Sequence, residues 1–346
     1  MCWRYGCPWW SRTGCSGRRN SSTAPSTGGS DSCWRWRNSI RPRRCAGSSH
    51  SGSGVHDGDN IQHSSSNVWT ISTIFADVQA GQRIHFLSDF HLGIPDAESS
   101  LAREKRIVAF LDEAARDAAE IHLLGDLFDF WFEWRRAVPR GHVRLLGKLA
   151  ELTDRGIPIH LYIGNHDMWI FDYIPQETGV ILHREPVTRE WNGKRFLIGH
   201  GDGLGPGDRG YKFIKAVFRN PICQWLFARL HPNFALWVGD FWSGRSRKKS
   251  YANDRRWLGE DNEWLVDYCR DRLRTEKFDF MLFGHRHLPI DIEVAPGSRY
   301  VNLGDWISWY TYATFDGHAL MLKKRMGDGP LAGDVRIAGG PAAQSG

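Results

Sequence analysis

The chain has 346 residues, 41% of them hydrophobic, so it can form one large domain or two small ones, and a fibrous or wholly disordered protein is excluded. Its formal net charge of +6 comes from the N-terminus. The first sixty residues hold nine Arg against three Asp, whereas residues 81–346 hold 36 basic and 35 acidic residues. Because the main part of the chain is nearly neutral, we expect no broad phosphate-binding face and no nucleic-acid partner.

The two ends of the chain differ in composition from the middle. Residues 1–80 lack Lys and Glu, are crowded with Ser, Gly, Arg and Trp, and show no helical or strand period. We expect a disordered or non-native extension there; the alternative is a basic tail that contacts anionic lipid or a partner. Residues 326–346 are expected to be a flexible tail. Residues 81–325 then form the folded domain, with a helical insertion at about 211–256.

The compartment is indicated by features that the sequence lacks. No run of 18 or more apolar residues occurs, and no apolar stretch precedes a small-residue cleavage site near the N-terminus. Outside the N-terminal stretch only Cys223 and Cys269 remain, too few for a disulfide framework. We therefore predict a cytoplasmic protein with no evident obligate protein partner.

Short apolar runs alternate with amphipathic stretches from Gln82 onwards, which predicts an α/β domain. Helices are predicted at 101–119 and 141–152, and two or three short helices between 211 and 242, where Pro221 and Pro232 interrupt the pattern. Strands are predicted at 84–87, 121–124, 159–163, 195–198, 278–283, 301–303 and 310–322.

Polar clusters follow five of these strands, and open α/β sheets bind their ligands at the carboxyl ends of strands. Asp, His and Asn ligands without Cys suit Mn, Fe or Zn, and two such ions can share one carboxylate and turn water into a nucleophile for phosphoryl hydrolysis. Each cluster alone could be a turn or a helix cap, but five in order indicate a metal site. The clusters are Asp89-Phe90-His91, Asp126-Leu127-Phe128-Asp129, Asn165-His166-Asp167, His200-Gly201-Asp202 and His285-Arg286-His287.

The order of these clusters resembles the signature of the calcineurin-like metallophosphoesterases, D-x-H, G-D-x-x-D, G-N-H-D/E, H and G-H-x-H, over roughly residues 82–324. The resemblance implies a calcineurin-like four-layer α/β/β/α sandwich and two divalent metal ions, for which we expect Mn²⁺. It implies His166 as the catalytic acid or electrostatic stabiliser, oriented by Asp167. The implied metal ligands are Asp89, His91, Asp126 and His287 for one ion, and Asp126, Asn165, His200 and His285 for the other.

Within this family the wider sequence is similar to the lipid A pathway diphosphatases, which cleave the pyrophosphate of UDP-2,3-diacylglucosamine to UMP and 2,3-diacylglucosamine 1-phosphate. The similarity implies a nucleotide-linked glycolipid substrate, peripheral contact with the inner face of the cell membrane, and substrate contacts from Asn165, Asp208, Arg247 and His285. It also implies that the helical insertion is a lid over acyl chains; the alternative is an ordinary helical hairpin. Candidate lid residues are Phe213, Val217, Trp225, Leu226, Phe227, Phe234, Leu236 and Trp237.

One position departs from this group, whose best-known members carry Arg where this chain has His166. Two other functions therefore stay open at this point. The first is another metallophosphoesterase activity, that of a soluble phosphodiesterase or phosphatase with a different phosphate substrate. The second is a non-catalytic scaffold that keeps the fold and binds a partner, against which the intact ligand sets argue.

Overall fold

The structure is a computed structural model that describes residues 77–205, 209–239, 241, 243–244, 257 and 259–325. The predictions for the extension up to residue 76 and for the tail at 326–346 lie outside these residues. So do two predicted substrate contacts, Asp208 and Arg247.

Eleven strands and seven helices are assigned within the described residues. The strands are β1 (Arg83–Leu87), β2 (Ala118–Leu123), β3 (Ile159–Tyr162), β4 (Ile181–His183), β5 (Val187–Trp191), β6 (Lys194–Ile198), β7 (Phe280–Phe283), β8 (Pro289–Ala295), β9 (Ser298–Leu303), β10 (Thr311–Phe315) and β11 (Leu320–Lys324). The helices are α1 (Ala97–Ala114), α2 (Val143–Asp154), α3 (Tyr173–Thr178), α4 (Arg209–Arg219), α5 (Pro221–Phe227), α6 (residues 232–239) and α7 (Trp264–Arg272).

The strands form two mixed sheets that pack face to face. The first has six strands in the order β11-β10-β1-β2-β3-β4, and the second has five in the order β5-β6-β7-β9-β8. Ile84 and Phe86 of the first sheet share a buried cluster with Phe196 and Leu282 of the second. Helices α1, α2 and α3 cover the outer face of the first sheet, and α7 covers that of the second. The predicted four-layer sandwich is confirmed.

The central strands are largely buried on both faces, which explains why short runs of mainly apolar residues identified them. In β2, Ile121 and Leu123 pack under the helices, whereas Leu124, just past the strand, packs between the sheets. Strands β1 to β4 run parallel to one another, so their carboxyl ends lie on the same edge of the sheet. Strands β6 and β7 of the second sheet are also parallel.

Several predicted boundaries were wrong. The helix predicted at 101–119 begins at Ala97, because Asp96 caps it by accepting a hydrogen bond from Ser99 N at 2.8 Å. It ends at Ala114, because Ala118 already belongs to β2 and pairs with Arg83 of β1. The single strand predicted at 310–322 is a hairpin, β10 and β11. Not predicted at all were α3, α7, β4, β5 and β8.

Helices α4, α5 and α6 lie in the region where an insertion was predicted. Pro221 occupies the first turn of α5, where a missing backbone N–H has no cost, and the Asn220 side chain caps that helix by accepting from Ile222 N at 2.8 Å. No helix in the described part of the chain is both long and apolar enough to cross a membrane.

Candidate metal centre

The polar loops that follow five strands of the two sheets meet at one edge of the sandwich. Backbone hydrogen bonds join them: His91 N donates to Asp126 O at 2.9 Å, and Gly284 N donates to His200 O at 2.9 Å. Glycine is required where two loops touch, because a Cβ on Gly164 would overlap the Asp126 carboxylate. The sheet edge therefore presents its loops as one packed surface.

The first group of converging atoms belongs to four buried or nearly buried side chains. His91 Nε2 lies 3.0 Å from His287 Nε2 and 3.5 Å from Asp126 Oδ2. Asp89 Oδ1 lies 3.2 Å from His287 Nε2 and 3.6 Å from His91 Nε2. Two imidazole nitrogens and two carboxylate oxygens thus surround one point, as the ligands of a divalent cation do.

The second group shares Asp126 with the first. Asp126 Oδ2 lies 3.3 Å from His200 Nε2, which in turn lies 3.2 Å from Asn165 Oδ1. His285 Nδ1 lies 2.8 Å from the same Asn165 oxygen. The structure therefore brings together all seven side chains that the sequence nominated as ligands, and one oxygen of Asp126 faces both groups.

The electrostatics of the site fit a cation. Burial opposes ionisation of Asp126, but the charges of His200 and His166 outweigh it and hold the pKa of this carboxyl well below its ordinary value. Burial likewise disfavours charge on His200, yet the facing Asp126 carboxylate raises the pKa of His200 to about 10. Asp126 Oδ2 is buried and accepts no hydrogen bond. An ionised carboxylate oxygen that is buried between histidine rings and accepts no hydrogen bond matches a metal ligand.

Outer side chains hold the ligands in place. Arg103 of α1 is buried and donates to the carbonyl of His91 at 2.7 Å. His200 Nδ1 lies 2.6 Å from Leu124 O, which requires the proton on Nδ1 and leaves Nε2 as a ligand atom. Arg286 and Glu263 form a buried ion pair behind the His285–His287 loop. Sequence reasoning missed these supports, because Arg103 and Glu263 belong to no motif.

The His166 ring is held differently from the prediction. Its Nδ1 lies 2.7 Å from Asp129 O, and burial lowers the pKa of His166. Asp167, expected to orient this ring, instead accepts hydrogen bonds from Leu127 N and Gly164 N, both at 2.8 Å. A fully buried carboxylate accepts hydrogen bonds from the nearest backbone donors, so Asp167 connects two loops. The backbone carbonyl of Asp129 orients His166 instead.

An apolar cavity of about 270 Å³ adjoins the site and is lined by Asn165, His166 and Asp129 together with residues of the insertion. Of the eight predicted lid residues only Phe227 lines it; Ile214, Phe218, Leu230 and Val238 take the places of the others. Five of the eight are instead more than half exposed: Phe213, Trp225, Leu226, Phe234 and Trp237. The insertion therefore buries a different stripe, and the exposure of these side chains also argues against the alternative of an ordinary hairpin core.

A separate histidine network lies between the two sheets. His122 and His160 are register partners in β2 and β3, and Glu120 Oε2 lies 3.0 Å from His122 Nε2 and 3.3 Å from His160 Nε2. The two rings stack at 4.5 Å with an interplanar angle of 12°. The nitrogen lone pairs lie in the planes of the rings. Because these two planes are stacked one above the other, a single ion cannot lie in both, and the two rings cannot ligate it together. The network is part of the core. Its signal in the sequence was the pair of polar residues at alternate positions of β2, Glu120 and His122.

The sequence of the part of the chain that carries this site is similar to that of known proteins. Residues 82–289 match the family described as Calcineurin-like phosphoesterase. The chain therefore belongs to the calcineurin-like phosphoesterases, which are metal-dependent hydrolases.

Two relatives and one solved structure show the extent of the similarity. A Porphyromonas gingivalis protein named UDP-2,3-diacylglucosamine hydrolase is 38% identical over 255 residues, covering 70% of this chain and 97% of the relative. One of the same name from Aeromonas hydrophila is 30% identical over 227 residues, covering 64% and 89%. The structure of Yfce, a phosphoesterase from E. coli, is 14% identical and covers 69% of this chain and 91% of that chain, with a TM-score of 0.36.

Proposed function

We propose that the protein is a two-metal hydrolase that cleaves the pyrophosphate of UDP-2,3-diacylglucosamine, giving UMP and 2,3-diacylglucosamine 1-phosphate. The observation that carries the proposal is the apolar cavity of about 270 Å³ whose lining includes Asn165 and His166 beside the metal centre. A substrate with acyl chains next to a pyrophosphate suits a cavity with an apolar body and a metal-binding wall. The names of the 38% and 30% identical relatives support the same substrate.

The converging side chains are proposed to hold two divalent ions, with Mn²⁺ as the preferred metal because the ligands are mixed oxygen and nitrogen donors. When bound, the ions supply Lewis-acid catalysis and a nucleophilic water at neutral pH. Asp126 would help to hold both ions, since its Oδ2 faces both groups of ligands. The full sets are those implied by the sequence: Asp89, His91, Asp126 and His287, and Asp126, Asn165, His200 and His285.

His166 is proposed to act on the leaving phosphate. Its Nδ1–H donates to Asp129 O, which leaves Nε2 for the substrate; with a second proton on Nε2 the imidazolium would serve as an acid or an electrostatic stabiliser. Asn165 and His285 would contact a phosphoryl oxygen as well as the second ion. The sugar and pyrophosphate contacts proposed for Asp208 and Arg247 rest on the sequence alone.

The insertion is proposed to be a lid that also contacts the membrane surface. Its inner side lines the cavity, whereas its outer side exposes Phe213, Trp225 and Trp237 by more than half of their area. The Trp237 ring also stacks on the exposed rings of Phe234 and Phe241, with centroids 5.8 and 6.0 Å apart. Exposed aromatic side chains are typical of an interaction surface, and a lipid substrate must be taken from a membrane. The Arg229 guanidinium lies 4.7 Å from the Trp225 ring centroid and adds a positive charge for anionic headgroups.

The test is an assay of purified, Mn²⁺-loaded protein with UDP-2,3-diacylglucosamine, with UMP release followed by chromatography. Asp126→Asn is the loss-of-function variant. Asp117→Asn is the matched control, because Asp117 pairs with Arg83 at the opposite end of the same sheet. UMP release that survives in the control and disappears in Asp126→Asn supports the proposal. Metal-dependent cleavage of bis-p-nitrophenyl phosphate without any UMP release would retain the chemistry and reject this substrate.

A further inference from the structure

A buried hydroxyl group joins the insertion to the catalytic residues. Ser243 is 7% exposed and lies in a helical stretch with residue 244. Its Oγ donates a hydrogen bond to Asp129 Oδ2 at 2.7 Å and lies 3.2 Å from His166 Nδ1. A hydroxyl group can donate one hydrogen bond and accept others, so Ser243 can satisfy both neighbours at once.

The contact matters because Asp129 and His166 face the metal centre. Asp129 Oδ1 lies 3.6 Å from His91 Nδ1, and the His166 ring packs edge-on against the His91 ring with centroids 4.8 Å apart. The Asp129 carbonyl holds His166 Nδ1 on one side, and the Ser243 hydroxyl contacts the same nitrogen from the insertion. The direction of His166 Nε2 is therefore fixed from two separate parts of the fold.

A second connection anchors the insertion beside the same centre. Asp202, two residues after His200, accepts a hydrogen bond from Tyr211 Oη at 2.6 Å and pairs with Lys215 Nζ at 2.5 Å. Both partners belong to α4. Helix α4 is thus fastened to one metal-binding loop, while Ser243 reaches the loops that carry Asp129 and His166.

We propose that Ser243 is a positioning residue for His166: it holds the imidazole ring and the Asp129 carboxylate in the geometry that hydrolysis requires. The contribution depends on the contact between the insertion and the metal centre, because Ser243 belongs to the insertion and Asp129 and His166 do not. The proposal rests on the proposed function only in requiring metal-assisted hydrolysis at this site, not in requiring the lipid substrate.

The experiment compares Ser243→Ala, Ser243→Thr and the matched control Ser298→Ala in the full-length chain. Ser298 is also buried, and its hydroxyl donates to Phe278 O at 2.7 Å in the second sheet. Turnover of bis-p-nitrophenyl phosphate tests the proposal even if the lipid is not a substrate. We expect Ser243→Ala to lower kcat about five- to twentyfold with KM changed by less than about twofold, as for a lost hydrogen bond that aligns a catalytic group. Ser243→Thr keeps the hydroxyl and should retain most activity, and Ser298→Ala should keep kcat.

A double-mutant cycle separates positioning from general loss of structure. Adding Ser243→Ala to His166→Ala should lower kcat no further, because the residue acts through the ring that is already missing. An equal loss in the presence and absence of His166 would overturn the proposal. A readout without turnover is the NMR order parameter of the His166 Cε1–H bond in metal-free protein, which should fall in Ser243→Ala and not in Ser298→Ala. An unchanged order parameter in Ser243→Ala would refute the positioning role even if no substrate were turned over.

Discussion

The buried histidine network makes a quantitative prediction about acid stability that is independent of the metal centre. His122 lies between the sheets at 0% exposure, with Glu120, His160, Tyr162 and Arg189 as its titratable neighbours. Burial lowers the pKa of His122 to about 3, and the charges of His160 and Arg189 act in the same direction, although Glu120 opposes them. His122 is therefore neutral in the folded protein at every pH at which the enzyme is expected to work.

The sign follows from proton binding. Below pH 6.5 the unfolded chain protonates His122, whereas the folded chain does not until about pH 3, so the free energy of unfolding falls as the pH falls. Between pH 6.5 and pH 5 the loss from this one group is about 2 kcal/mol, because the slope rises from half of about 1.36 kcal/mol per pH unit at the half-protonated point to nearly the full value at pH 5. For a domain of this size that corresponds to a decrease in Tm of about 4–8 °C.

Urea unfolding at pH 6.5 and pH 5 measures this contribution when wild type is compared with His122→Gln. Glutamine can still donate to Glu120 but binds no proton, so wild type should lose about 2 kcal/mol more than the variant across this interval. His318→Gln is the control, because His318 is exposed on the β10–β11 turn and its replacement should leave the pH dependence unchanged. Parallel pH dependences for wild type and His122→Gln would refute the reasoning.

Three further predictions concern the site. Asp126→Asn should lower turnover by more than about 100-fold and reduce the bound metal measured by mass spectrometry, because losing a shared ligand costs more than the roughly 10–100-fold loss typical of an outer-shell partner. Val238→Phe should raise KM for a long-chain lipid about tenfold with bis-p-nitrophenyl phosphate turnover unchanged, since Val238 lines the cavity. Trp225→Glu combined with Trp237→Glu should weaken cosedimentation with anionic vesicles about tenfold, and equal cosedimentation would remove the membrane-facing role of the insertion.

The fold class was predictable because the central strands are short apolar runs with a helix-forming stretch between them. Burial on both faces makes such strands stand out in the sequence, as in β1 and β3. Edge elements gave no such signal: β4 has three residues with none fully buried, and β5 is buried mainly at Trp191. Helix α7 was missed because it has only nine residues, and its apolar residues are mixed with charged ones.

The residues that converge at the candidate metal centre were predictable because they lie close in sequence to the sheet, two to four residues past the end of a strand. The side chains that hold these residues in place were not predictable. Arg103 acts across twelve residues of sequence, and Ser243 acts across seventy-seven, so neither leaves a local pattern. The prediction of which insertion residues line the cavity was mostly wrong for a related reason. A helix with aromatic residues on several faces does not reveal which face is buried until its packing partners are known.

The backbone of the site shows why its sequence pattern is so strict. Among the described residues, eight that are not glycine have a positive φ, and five of these are proposed ligands: Asp89, His91, Asp126, His285 and His287. Each such conformation costs about 1–3 kcal/mol and persists only where the surrounding structure enforces it. Here the enforcement comes from contacts between loops, such as Asp89 N donating to Gly125 O at 3.1 Å. The folded core therefore stabilises a strained set of loops that carries five of the seven proposed ligands, so substitutions in these loops must preserve the backbone conformation as well as the side-chain chemistry.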